Sequence, residues 1–168
     1  MHRHLCLVFV LALGACSSYG QMKPGPAPEV QLDDAWLALA LDTTPRVESL
    51  EICPTKENGA CITAGPWRES GDVHLLFLEA GKWCITRMTF EGGGARDDAH
   101  ICMPVAAGQV NYPGTFQFSP VEKVTNTTDL QVARVDAYSA AKMKLMRVFP
   151  WLTTVKWQPG PLPPHAND

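Results

Sequence analysis

No stretch of this chain is long and apolar enough to cross a bilayer as a helix. The longest apolar run, Leu5 to Leu13, is about half of what a spanning helix needs. Charge is scarce: 18% of residues are Asp, Glu, Lys or Arg, and the formal net charge is −3. No Lys/Arg run or basic patch is present, which argues against nucleic acid as a partner. The motifs of catalysis are missing too. There is no Gly-x-Ser-x-Gly elbow, no Cys-x-x-Cys pair, no calcium loop of spaced Asp residues, and no Lys-Ser/Thr after a glycine-rich turn. No internal repeat or low-complexity block stands out.

The amino terminus is the informative part. Met1-His2-Arg3-His4 is short and weakly basic, Leu5 to Leu13 is apolar, and Leu13-Gly14-Ala15-Cys16-Ser17-Ser18 closes the segment on small residues. That is the layout of a secretory n-region, h-region and cleavage site. With a cysteine directly after the small residues, Leu13 to Cys16 resembles the lipobox of bacterial lipoproteins. The resemblance implies that residues 1–15 are a signal peptide. Cys16 would then be the first mature residue, carrying a diacylglyceryl thioether and an acylated amine. Each buried methylene contributes about 0.8 kcal/mol, so three chains would hold the protein firmly in the bilayer. Ser17, where Asp tends to retain lipoproteins in the inner membrane, implies an outer-membrane, periplasm-facing location.

Removing the leader leaves 153 residues, enough for one domain with a real core. Arg3 is the one basic residue of the leader, so 13 Lys and Arg remain against 17 Asp and Glu, a net of −4. Gln21 to Glu29 holds Pro24, Pro26 and Pro28 and reads as a semi-extended tether. The expected organisation is therefore a signal peptide (1–15), an acylated cysteine with a Pro-rich tether (16–29), a domain (30–158) and an unordered tail (159–168).

Four cysteines remain after Cys6 is discarded with the leader and Cys16 is acylated: Cys53, Cys61, Cys84 and Cys102. An even number in an exported chain reads as two disulfides. Three pairings are possible, and local geometry favours one. Asn58-Gly59 is a strong turn signal, so Cys53 and Cys61 can face each other across a hairpin. A turn centred on Gly93 sets Cys84 opposite Cys102, Ile85 opposite Ile101 and Trp83 opposite Met103. Side chains alternate along a strand, so that one register separates the disulfide from the apolar pairs. A zinc site or a catalytic thiol would want a Cys-x-x-Cys or a paired His.

The rest of the chain reads as about eight short strands. Trp36 to Leu41 alternates large and small apolar residues, with helix as the rival reading. Val47 to Cys53 and Cys61 to Ala64 flank the Asn-Gly turn. Asp72 to Leu78 and Trp83 to Phe90 flank Glu79-Ala80-Gly81-Lys82, which reads as a hairpin turn. Gly92 to Asp98 reads as a flexible loop. His100 to Val105, Gln109 to Tyr112, Thr115 to Ser119, Val121 to Val124 and Leu130 to Val135 follow as strands. A helix is expected over Ala137 to Phe149, with Asp136 as its N-cap and Pro150 as its stop. Trp151 and Leu152 should fold back over it. The fold class expected is a mainly antiparallel β-sandwich with one C-terminal helix, placed on an edge or an end.

Two segments carry a further resemblance. Phe77-Leu78-Glu79-Ala80-Gly81-Lys82-Trp83-Cys84-Ile85 is similar to a hairpin of transthyretin-like or carboxypeptidase-regulatory-like sandwiches. Ala107 to Phe116, together with Phe149-Pro150-Trp151-Leu152, is similar to stretches of small proteobacterial lipoproteins. These motifs imply a fold and no chemistry.

Candidate functional residues are few. Outside the leader there are three histidines, His74, His100 and His165. The expected registers set His100 opposite Thr86 and His74 opposite Arg87, a polar solvated face. Asp97, Asp98 and Glu91 read as solvated loop charge. Trp67 and Arg68, in the loop Ala64 to Gly71, are the candidate partner-binding pair, because an aromatic beside an arginine can anchor an interface; the rival reading is a loop tryptophan folded over the end of the sandwich. No catalytic residue, metal or cofactor is expected. The reading is a non-enzymatic lipoprotein that contacts the bilayer through Cys16 and binds another envelope component. The alternatives are an inhibitor or immunity lipoprotein, a secretion-system lipoprotein subunit, or, as the contrasting class, an enzyme.

Overall fold

The computed structural model describes residues 19–44, 46–121 and 129–160. Its organising element is β2 (Asp34–Thr43), which is buried on both faces from Asp34 to Leu41. The alternation that suggested a strand also explains this position. Leu37, Leu39 and Leu41 point into the space between two sheets, and Trp36, Ala38 and Ala40 point the other way, against a helix. A strand covered on both sides needs apolar residues throughout.

The larger sheet has seven strands. β1 (Gly20–Gln21) pairs with β5 (Asp72–Glu79), and β5 pairs antiparallel with β2. On its other side β2 runs parallel to β8 (Gln109–Tyr112) and then to β9 (Thr115–Val121). Pro113-Gly114 interrupts what is nearly one strand. β10 (Asp129–Val135) pairs with β9, and β11 (Lys156–Pro159) runs parallel to β8. The smaller sheet has the order β4 (Ile62–Ala64), β3 (Val47–Pro54), β6 (Gly81–Phe90), β7 (Ala95–Val105). Its inner residues Leu50, Ile52, Ile85 and Met88 meet the leucines of β2 in one core. This is the expected β-sandwich, with eleven strands among the described residues rather than about eight.

Four expectations are corrected. Helix α1 (Tyr138–Val148) lies on neither an edge nor an end but across the outer face of the larger sheet, with Ala141 and Leu145 buried. The small side chains of Ala38 and Ala40 leave room for it there. Phe149, Leu152 and Trp157 complete the layer, and Trp151 packs on Trp36 with ring centroids 5.5 Å apart. Second, Glu79-Ala80-Gly81-Lys82 is a corner between the sheets, not a hairpin. β5 is buried on both faces near its end and β6 on one, so the two suit different sheets. The Ala80 N–H donates to the Asp33 carbonyl at 2.6 Å as the chain crosses. His74 therefore lies opposite Leu39 and not Arg87. Third, the loop after β6 is shorter than expected. Phe90 N donates to Gly94 O, and β7 begins at Ala95. Fourth, the expected register holds from Trp83–Met103 to Ile85–Ile101 and then shifts, placing Arg87 opposite Asp97 instead of Ala99.

The amino-terminal boundary also differs. The Pro-rich stretch does not come between the start of the described chain and the domain. β1 precedes it and is already paired with β5, and Met22 N donates to Leu75 O at 2.8 Å. At the other end β11 reaches Pro159, and Gly160 N donates to Tyr112 O. The leader, Cys16, 122–124 of the expected strand near Val121, and 161–168 of the expected tail lie outside the described residues.

Candidate functional site

At the end of the sandwich where β2 finishes and β3 begins, a cleft of about 370 Å³ opens. Val47 and Trp67 form its buried floor, 0% and 1% exposed. Arg46, Glu48, Arg68 and Glu91 stand around it.

The backbone that builds this cleft is specific. After β4 the chain passes Gly65 and a cis Gly65–Pro66 bond, then returns to the sheet edge. Trp67 pairs with Val47 as a single antiparallel bridge, its N–H donating to the Val47 carbonyl at 2.9 Å. Gly65 has φ of +134°, and a Cβ there would stand 2.5 Å from the Glu48 carbonyl oxygen. Only glycine fits. The following loop is pinned by Asp72, whose Oδ2 accepts from the N–H groups of Arg68 and Glu69, each at 3.0 Å. The Ser70 hydroxyl donates to Asp42, and Gly71 N donates to Leu41 O. Arg68 thus projects from a fixed backbone into solvent, and its guanidinium forms no ion pair among the described residues. Across the cleft Arg46 and Glu91 approach to 3.6 Å, with side chains 63% and 67% exposed. So exposed a pair adds little stability, but it keeps both charges on one rim.

Behind the floor lies a second cluster. The Trp67 and His74 rings meet edge-on with centroids 4.5 Å apart. The Gln21 side-chain oxygen accepts from Gly65 N–H at 2.7 Å, which orients its amide nitrogen toward His74 Nδ1 at 2.6 Å. That nitrogen can only donate, so His74 Nδ1 carries no proton and the ring is neutral. Burial lowers the His74 pKa below its usual value, against the raising effects of Asp72 and a backbone hydrogen bond with Pro66. Gln21 therefore ties β1 to the loop that makes the cleft floor.

The predicted pair Trp67 and Arg68 are neighbours in this cleft with opposite exposures. Trp67 is core, its indole N–H without a hydrogen-bond partner among the described residues, and Arg68 is surface. The disulfides are Cys53–Cys61 and Cys84–Cys102, with Cα separations of 4.2 and 4.0 Å. Cys53 and Cys84 are register partners, so the four half-cystines form one row across the outer face of the smaller sheet. Glu51 lies beside Cys53 and Cys61, but both sulfurs are oxidised and offer a metal no thiolate. Side chains of Asp97, Asp98 and His100, and all of His165, lie outside the described residues.

Chemically, the cleft offers guanidinium forks, which bind carboxylate or phosphate groups in two-point fashion, and carboxylates that accept hydrogen bonds. Among the described residues its lining contains no hydroxyl, thiol or imidazole. Sequence reasoning did not reach Arg46, Glu48, Glu91 or Gln21 as members of this region. Arg46 stands just before β3 and Glu91 in the turn after β6, and only the fold brings them together, with Glu91 N donating to Arg46 O at 3.0 Å. No family of known proteins, no curated protein and no solved structure matches this chain.

Proposed function

We propose that this protein is an outer-membrane lipoprotein, anchored through acylated Cys16, whose sandwich binds another envelope component and catalyses no reaction. One observation carries the reading. Tyr19, the third residue after Cys16, is docked at one end of the sandwich, and the charged cleft opens at the opposite end. The Tyr19 ring lies against Phe77, centroids 5.6 Å apart, and its hydroxyl donates to the fully buried Asp34 at 3.0 Å. β2 then runs ten residues from Asp34 toward the cleft end, a span of about 30 Å. A lipid at Cys16 would hold the Tyr19 end at the membrane and leave the cleft facing away from it. Exposed charges of both signs on a fixed backbone suit a polar partner surface with complementary charges.

The test is in-cell crosslinking followed by capture from detergent-solubilised envelope, comparing the native chain with Arg68→Glu and with Arg46→Glu. The expected result is a recurrent crosslinked envelope component that both variants weaken several-fold. Capture unaffected by either variant, or turnover of an envelope substrate by the purified domain, would overturn the reading.

A further inference from the structure

The turn that precedes β2 presents an apolar side chain where none is needed for folding. Leu32 is 94% exposed and Val30, two residues earlier, is 47% exposed. Leu32 is not on a loose segment. The turn is closed from both sides, with Asp34 N donating to the Gln31 carbonyl at 3.2 Å and Gln31 N donating to Asp34 Oδ2 at 2.7 Å. The next residue, Asp33, accepts from Ala80 N. Leu32 is thus held outward by a backbone that is fastened on each side of it.

What covers it follows from chain length. Asp34 Oδ1 is the acceptor for the Tyr19 hydroxyl, so the turn and the docked start of the described chain share one carboxylate. Three peptide steps separate Cys16 from Tyr19, a reach of at most about 11 Å. We infer that the Gln31–Asp34 turn is a second, non-covalent membrane contact, with Leu32 seated in the interfacial layer of the bilayer that Cys16 enters. This rests on the lipoprotein reading and adds an orientation to it. The charged residues that flank Leu32 in sequence are Glu29 and Asp33, both acidic and exposed. The contact is therefore apolar, does not call for anionic lipid, and persists at high salt.

The experiment uses the acylated protein, purified from membranes and reconstituted in phosphatidylcholine vesicles whose acyl chains carry bromine, a contact quencher of indole fluorescence. Leu32→Trp and Arg68→Trp each add one indole at an exposed position, so both fold, and each is read as the difference from the native chain. The expected result is loss of more than half of the added emission at position 32 and little loss at position 68, relative to vesicles without bromine. An unquenched indole at position 32, in protein whose intact mass shows the acyl chains, would overturn the membrane contact and leave the anchor standing. An intact mass without acyl chains would overturn both.

Discussion

The two ends of this sandwich are held together by different means. At the Tyr19 end the smaller sheet is cross-linked. Cys53, Cys84 and Cys102 lie in one row near the ends of β3, β6 and β7, and Cys61 joins it from before β4. Among the described residues, the cleft end has no disulfide. The same sheet is finished there by a bridge between Val47 and Trp67, by a glycine that admits no side chain, and by the Asp72 carboxylate fastening the next loop. Covalent ties act chiefly on the unfolded chain and ask little of local packing. Backbone turns and close contacts fix the surface more finely, and the exposed guanidinium of Arg68 stands on that finer framework. The comparison teaches that the robust end is the one beside the N-terminal dock, and the shaped end is the one with the cleft.

The largest effect should come from the shaped end. Gly65→Ala forces a side chain onto the Glu48 carbonyl at positive φ and should cost about 4 kcal/mol in urea unfolding. A cost under about 1 kcal/mol would mean this end does not depend on that backbone. Next come the staples. Replacing Cys84 and Cys102 by Ala, which opens a span of 18 residues, should cost about 3 kcal/mol. The same change at Cys53 and Cys61, a span of 8 residues, should cost about 2.5 kcal/mol. Hydrogen exchange should quicken around the cysteine row in both double variants and stay unchanged at Trp67. Faster exchange at the cleft instead would erase the contrast between the ends.

Tyr19→Phe removes the hydroxyl that serves Asp34 and should cost about 1 kcal/mol. Burial first, and the hydrogen bond to Asp34 next, push the Tyr19 pKa up to about 12. Absorbance titration should therefore contain a late-ionising component that Tyr19→Phe removes. A smaller effect links the two ends through His74. Its pKa is lowered in the fold from 6.5, so the unfolded chain takes up this proton first. His74's contribution is full above pH 6.5, falls as pH drops below that value, and levels off beneath the folded-state pKa. Melting temperatures measured from pH 8 to 5 should show this decline, and His74→Asn should flatten it. The smallest effect is expected at Leu32. Leu32→Ser should leave stability within about 0.5 kcal/mol, because almost nothing in the fold touches that side chain.

Local signals made part of this fold readable. Asn58, with φ of 64°, and the glycines near Gly93 announced their turns, and alternation then fixed which residues face the core beside each cysteine. The alternation in Trp36 to Leu41 announced a strand but not that a helix would use its small-residue face. The turn at Glu79 to Lys82 was misread because a hairpin and a corner between sheets use the same residues. What separates them is the burial of β5 on both faces, and α1 on one side and the smaller sheet on the other supply that cover from other parts of the chain. Trp67 and Arg68 read as one candidate pair, with a tryptophan folded over the sandwich end as the rival. Their opposite exposures depend on the Val47 bridge 20 residues back. Gln21 gave no signal at all, since its partners Gly65 and His74 are 44 and 53 residues away.

On the proposed reading, the sandwich is fastened to a membrane by the end that carries Tyr19. The most direct measurement is the intact mass of the amino-terminal peptide from protein purified out of native membranes. The expected result is a chain that begins at Cys16 and carries a diacylglyceryl thioether and an acylated amine. A free amine with an unmodified sulfur, or a chain that still carries residues 1–15, would contradict it.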